Sequence, residues 1–203
     1  MSGNAQFFVP GKVLVIGEHA VVYGAPAVAV PLPGAVRVDV QSGSGRQAPA
    51  VFVNGAPLDD PLLRQGLSDL RRAGLDVPSS LVLHLSSRLP PGGGLGFSAA
   101  LSCAIIRTVL GETGEGGVSD PAALTRWVHL LETRFHGRPS GIDGATVVSG
   151  ETVGVHLPAV NSQALQGMSG MQKLSLPRLP LLVGWSGSAA STAAQVARVR
   201  ALS

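Results

Sequence analysis

The residues of this chain whose types and spacing could do chemistry fall in three stretches. The first is Pro90-Pro91-Gly92-Gly93-Gly94-Leu95-Gly96-Phe97-Ser98-Ala99-Ala100-Leu101. Two prolines stop a strand, glycines follow, and small helix formers then begin an apolar helix. A glycine loop feeding a helix N-terminus offers bare backbone N–H groups and the positive end of a helix dipole, which together suit a polyphosphate. It is not a Walker loop, because no lysine follows the glycines, and Phe97 stands where the dinucleotide fingerprint needs its third glycine. Taken alone, the same residues would serve as a tight turn before a core helix.

The second stretch runs from Pro10 to Gly24. Lys12 heads the apolar run Val13-Leu14-Val15-Ile16, and Glu18-His19 follows at its carboxyl end. Lys12 and Lys173 are the only lysines, so this one is either a solvated strand-end charge or a point charge aimed into a site. Sites of sheet proteins commonly lie at the carboxyl ends of strands. The third stretch joins Glu132 to Asp143 through His136-Gly137-Arg138-Pro139-Ser140-Gly141-Ile142. Asp143 falls in the first turn of a helix that Ser140 is expected to cap. There it either complements the dipole or is held ionised by it for chemistry. Glu132 sits in the last turn of its own helix, the electrostatically wrong end for an acid. A residue kept against local preference is a functional candidate.

Positioning these groups requires strands and helices in alternation. Two short strands broken at Pro10-Gly11 are expected over Gln6–Ile16, the second buried on both faces. Further strands are expected at Ala27–Leu32, Val36–Val40, Val51–Val53, Ser80–Ser86, Val153–Leu157 and Leu179–Trp185. Asn54-Gly55 reads as a turn. Helices are expected from Asp60-Pro61 to about Ala73 (Leu62, Leu63, Leu67 and Leu70 on one face), over Ser98–Leu110, from Asp120-Pro121 to about Arg134, over Gly141–Ser149, and from Ser188 onward. His84 reads as a plain strand residue. The class is α+β.

Composition narrows the partners. The 203 residues can bury a sizeable core, and with only 4 % aromatics that core must be mostly Ala, Val and Leu. The net charge of +3 is spread, with no basic run, so no nucleic-acid partner is expected; an anionic small ligand fits better. A single cysteine, Cys103, rules out an internal disulfide and agrees with a cytoplasmic setting. No stretch reads as a secretion signal or a membrane span, so no membrane partner is expected.

The three stretches together resemble the signature motifs of the GHMP kinases, the family named for galactokinase, homoserine kinase, mevalonate kinase and phosphomevalonate kinase. Lys12 with Gly17-Glu18-His19-Ala20-Val21-Val22-Tyr23-Gly24, and His136-Gly137 with Pro139-Ser140-Gly141-Ile142-Asp143, are most similar to the mevalonate-kinase branch. The resemblance implies an amino-terminal ATP-binding domain, here about residues 1–176, with the fold of a ribosomal-protein domain. Residues 177–203 would begin a second, ferredoxin-like α+β domain. It implies transfer of the ATP γ-phosphoryl group to the C5 hydroxyl of mevalonate in isoprenoid precursor synthesis. Pro91, Gly92, Gly93, Gly94, Leu95, Gly96, Phe97, Ser98 and Ala99 would bind ATP. Ser98 and Glu132 would hold Mg²⁺. Lys12 and Asp143 would be catalytic, and Lys12, Glu18, His19 and Asp143 would line the acceptor. The same chemistry on another small alcohol or phosphoalcohol, a non-catalytic nucleotide binder, and an RNA-binding protein are the alternatives.

Three departures accompany the resemblance. Phe97 stands where the family has the first of two serines, Gly144 replaces the Asn after the aspartate, and Ser149-Gly150 replaces Gly-Gly. The last strand and helix of the chain are too little for a core, so it is expected to be part of a longer kinase. It would either form a homodimer or need a second chain carrying the remainder.

Overall fold

The computed structural model describes residues 5–42, 49–90, 92–113, 119–156, 162–164, 170–176 and 180–188, with Gln195, Arg198, Val199 and Ala201. Successive side chains of a strand point to opposite faces, so β1 (Ala5–Ile16) buries Phe7 and Val9 and exposes Phe8 between them. The two short strands expected here are one. Pro10 has no N–H to give a ladder, and the pairing absorbs it as a register shift between Val9 and Gly11. Past that shift Lys12 is the residue turned inward. The strand is not buried on both faces, because Val15 and Ile16 are exposed.

The strands expected at Ala27–Leu32 and Val36–Val40 are likewise one, β2 (Ala27–Ser42), antiparallel to β1 along its whole length. β3 (Ala50–Val53) turns at Asn54-Gly55, both at positive φ, into β4 (Ala56–Pro57). α1 (Pro61–Arg72) then carries the chain over to β5 (Leu81–Ser87), parallel to β3 and antiparallel to the second half of β2. α2 (Phe97–Val109), α3 (Pro121–His136) and α4 (Ile142–Ser149) follow. β6 (Val153–Val155) pairs with the first half of β2. β7 (Ser162–Ala164) and β8 (Met171–Leu174) fall in a segment whose sequence announces no element, and extend the sheet beyond β6. The order is β4-β3-β5-β2-β6-β8-β7, with β1 on β2. This mainly antiparallel sheet with helices packed against it is the expected α+β class.

The main core joins Phe7, Val9, Val36, Val38, Leu83 and Leu85 of the sheet to Leu70, Ile105, Ile106, Leu124 and Leu131 of the helices. Each such side chain stabilises the fold by about 1.5–3 kcal/mol through burial. In α1, Asp60 Oδ1 accepts from Leu62 N at 2.7 Å and Leu63 N at 3.3 Å, and Leu63, Leu67 and Leu70 face inward. Leu62 is exposed, one residue too early for that stripe. A second cluster of Ala27, Ala29, Ile142, Ala145 and Val153 seats α4 against β2 and β6. Residues 180–188 are not strand: Leu181, Leu182, Val183 and Trp185 are exposed, and no strand among the described residues supplies the ladder that would make them one. Gln195, Arg198 and Val199 are helical. No helix among the described residues is long and apolar enough to cross a membrane.

Gly17 fixes the turn that ends β1. Its φ is +86°, and a Cβ there would lie 2.2 Å from Pro26 O and 2.7 Å from Ala27 Cα. Gly17→Ala is expected to cost about 2–5 kcal/mol, left-handed strain added to overpacking. Urea unfolding measures it. Unchanged stability would mean that the Gly17–Pro26 approach is not fixed.

Candidate active site

Four elements converge on Lys12. It stands just past the register shift in β1 and is only 3 % exposed. An ammonium so placed needs a partner. Asp143, in the first turn of α4, supplies it: Nζ lies 3.0 Å from Oδ2. The solvated strand-end reading of Lys12 is therefore set aside. The Asp143 side chain is 33 % exposed, so one edge of the pair opens to solvent. The N-cap of α4 is Gly141, at φ +84°, rather than Ser140, whose Oγ accepts only a long bond of 3.4 Å from Ile142 N.

The glycine loop lies directly against this lysine. The Lys12 N–H donates to Leu95 O at 3.0 Å, tying the loop to β1. A Cβ on Gly96 would come within 2.7 Å of Lys12 Cγ and 3.1 Å of Lys12 N, and the residue sits at φ +78°. Only glycine satisfies both conditions. Gly96 is the N-cap of α2 and offers no side-chain cap, so the first-turn N–H groups of Phe97, Ser98 and Ala99 have no intrahelical partners. Phe97 turns its ring onto the main core. Pro91 lies outside the described residues.

Beneath the start of α2 runs α3, which brings up Glu132, 3 % exposed. Ser102 Oγ donates to its Oε1 at 2.9 Å, and Ser98 Oγ lies 3.3 Å from Oε2. Ser98 Oγ is also 2.8 Å from His136 Nε2. Burial pushes the Glu132 carboxyl up to about 7, the Asp143 charge adds to the rise, and the two serines and Lys12 oppose it. Burial also lowers the His136 imidazole from its ordinary value, against the pull of Asp143. Lys12, Ser98, Glu132 and Asp143, distant in sequence, thus form one cluster. Glu18 is exposed and near the loop, its Oε1 3.7 Å from where a Gly94 Cβ would be. His19, at φ 63°, follows it in the same turn. Neither makes a described contact with Lys12 or Asp143.

Two members of the cluster were not singled out from sequence, Ser102 and His136. The signal was there: Ser98 and Ser102, and Glu132 and His136, are each four residues apart, so two facing helices each present a pair.

A carboxylate buried beside a second one is costly when ionised, and a cation relieves that cost. Among the described residues no group of three or more His, Cys, Asp or Glu could hold a metal ion. One carboxylate and one hydroxyl nevertheless fit Mg²⁺, which keeps several waters and otherwise binds phosphate oxygens.

The metal-free chain should reveal the carboxyl directly. Folded Glu132 keeps its proton between about 4.5 and about 7, where the unfolded chain has released it. Stability is then expected to fall as pH rises through that window and to level off above it. Glu132→Gln should flatten this part of the profile. An unchanged slope in thermal melts would mean that the carboxyl is not held protonated.

Residues 62–151 match the family model described as GHMP kinases N terminal domain. Over that span the chain is similar to the amino-terminal domain of the GHMP kinases. The matched span takes in the glycine loop, Ser98, Glu132 and Asp143, while Lys12 and Glu18-His19 precede it. Among curated relatives, a mevalonate kinase of Pyrococcus horikoshii is 30 % identical over 219 residues, covering 94 % of this chain and 59 % of that protein. One from Thermococcus sibiricus is 26 % identical over 215 residues, covering 94 % and 60 %. The chain thus spans about 60 % of the length of the curated relatives it matches. A solved structure of L. major mevalonate kinase in complex with R-mevalonate matches in fold with a TM-score of 0.62 at 21 % identity, over 100 % of this chain and 61 % of that one.

Proposed function

We propose that this chain carries the nucleotide- and acceptor-contacting part of an ATP-dependent mevalonate kinase. The carrying observation is the Lys12–Asp143 pair, 3.0 Å apart and set directly against the uncapped glycine loop. Residues 1–176 are read as the ATP-binding domain and residues 177–203 as the start of a following one. The mevalonate kinases among the relatives supply the acceptor class.

In this reading the loop and the first turn of α2 bind the ATP phosphates through backbone N–H groups. Ser98 and Glu132 would hold Mg²⁺, which when bound neutralises charge on the phosphate oxygens. The C5 hydroxyl of the acceptor lies beside Asp143. Its oxygen forms the new bond to the γ-phosphorus, the bond to the β-phosphate oxygen breaks, and ADP leaves. Asp143 takes the hydroxyl proton, late in the step because a carboxylate is a weak base toward an alcohol. Lys12 stays charged and stabilises the growing charge on the transferred group and the alkoxide. The transition state is loose, so positioning and charge supply most of the acceleration.

The test is product formation from Mg²⁺–ATP with mevalonate, alongside galactose, homoserine and phosphomevalonate. Preferential turnover of mevalonate is expected. Turnover of another acceptor alone overturns the substrate assignment. Ser98→Ala and Glu132→Gln are each expected to weaken ATP binding at least about tenfold in the presence of Mg²⁺ and little in its absence. Calorimetry with and without the metal measures both. If neither variant alters the Mg²⁺ dependence, the ion is held elsewhere.

A further inference from the structure

We propose that His136 is a positioning residue whose Nε2 accepts the Ser98 hydroxyl proton, leaving Ser98 Oγ and Glu132 Oε2 both open toward a divalent cation. This rests on the kinase reading above and adds to it a residue that the reading does not use.

When a cation is bound Glu132 is ionised and carries no proton of its own, so the protons to be placed are those of Ser98 and His136. Ser98 has one O–H and two neighbours that could receive it: His136 Nε2 at 2.8 Å and Glu132 Oε2 at 3.3 Å. The shorter contact is to the ring. A neutral imidazole carries one N–H and one bare nitrogen, so it can receive the proton at Nε2 when its own hydrogen is on Nδ1. Glu132 Oε1 is already engaged by Ser102 at 2.9 Å. Oε2 is then the atom of this carboxylate left to meet a cation. With the hydroxyl hydrogen turned to His136, the lone pairs of Ser98 Oγ are left uncommitted, 3.3 Å from Oε2. With the opposite tautomer, the ring N–H would point at Ser98 Oγ and toward Oε2, 3.6 Å away, and Ser98 would donate to Oε2. The cluster would then close upon itself and offer a cation nothing.

The placement also explains why the histidine is the last residue of α3. It lies one turn beyond Glu132, so the carboxylate and the ring emerge on one face and meet Ser98 from the same side. Groups that orient a metal's ligands commonly act in this way.

Two measurements decide it. Nitrogen-15 spectra of the imidazole rings, with His136 identified by its loss in His136→Gln, should show a bare Nε2 and a protonated Nδ1. A protonated Nε2 overturns the proposal. The second is ATP binding by calorimetry, with and without Mg²⁺, for the wild-type chain, His136→Gln, His136→Asn and His136→Phe. Gln carries its amide oxygen out to where Nε2 was, whereas the Asn amide is one methylene short. Gln should keep the Mg²⁺ enhancement, while Asn and Phe should each lose about tenfold of it, with metal-free binding unchanged. Should His136→Phe not fold, the contrast between the two amides still decides the matter. Equal enhancement in Gln and Asn overturns the proposal while leaving the kinase reading in place. A wild-type chain that gains nothing from Mg²⁺ overturns both.

Discussion

Asp143→Asn is expected to lower phosphoryl transfer by about 10²–10⁴-fold, the usual contribution of a general base. The substitution keeps the shape of the side chain and its place in the first turn of α4. It keeps a carbonyl oxygen that can face Lys12. What it removes is the capacity to take a proton from an acceptor hydroxyl, and the negative charge 3.0 Å from Lys12 Nζ. The second loss has a structural consequence. Lys12 is 3 % exposed, so without Asp143 its ammonium is left buried beside Glu132, a carboxyl that burial already holds partly protonated near neutral pH. Removing one partner of a buried pair is far more costly than the pair is worth. The variant is therefore expected to be less stable by up to about 3 kcal/mol, with ATP binding retained in the folded fraction. Single-turnover rates on protein shown to be folded separate the two effects. A rate within about threefold of wild type would remove Asp143 from the reaction.

What the sequence reveals about this site follows from how local each cause is. The glycine loop, the Asp60 and Asp120 caps and the Asn54-Gly55 turn are legible because each depends on a few adjacent residues. The continuity of β1 through Pro10 is not, since a missing N–H breaks a strand or merely shifts its register depending on the partner, and the partner, Val36 to Leu32 of β2, lies more than twenty residues away. The exposure of Val15 and Ile16 is hidden for a related reason: an apolar run reports affinity for a buried place, not that the fold provides one. Leu181 to Trp185 read as a strand from composition, and no strand among the described residues pairs with them. In the site itself, Lys12, Ser98, Glu132 and Asp143 could be singled out by residue type and by resemblance. Their convergence could not be read from spacing, because it depends on α2 and α3 crossing with Ser98 and Ser102 turned toward Glu132 and His136.

Lys12→Met is the counterpart experiment, and it should separate stability from chemistry in the opposite sense. Methionine is unbranched, nearly as long as lysine and has no charge to solvate. It fits the channel beneath Gly96, where a Cβ on that glycine would come within 2.7 Å of Lys12 Cγ and leaves no room for a branched side chain. The partner left behind is Asp143, and at 33 % side-chain exposure it can turn toward water, as Lys12 could not. The desolvation cost of a buried ammonium is also removed. Lys12→Met is therefore expected to melt at or above the wild-type temperature, whereas Asp143→Asn melts below it. Its activity should still collapse, by about 10²–10³-fold, because the charge aimed at the transferring group is gone while the surroundings are preserved. The KM for ATP should move much less than kcat if the lysine acts chiefly on the transition state. Melting curves and steady-state kinetics on the two single variants and the double variant complete a cycle. In the double variant the stability loss of Asp143→Asn should largely disappear, since no buried ammonium remains to be stranded, while transfer stays as low as in the worse single variant. Additive losses in stability would mean that the two side chains do not depend on one another in solution, and the paired arrangement on which the catalytic reading stands would have to be given up.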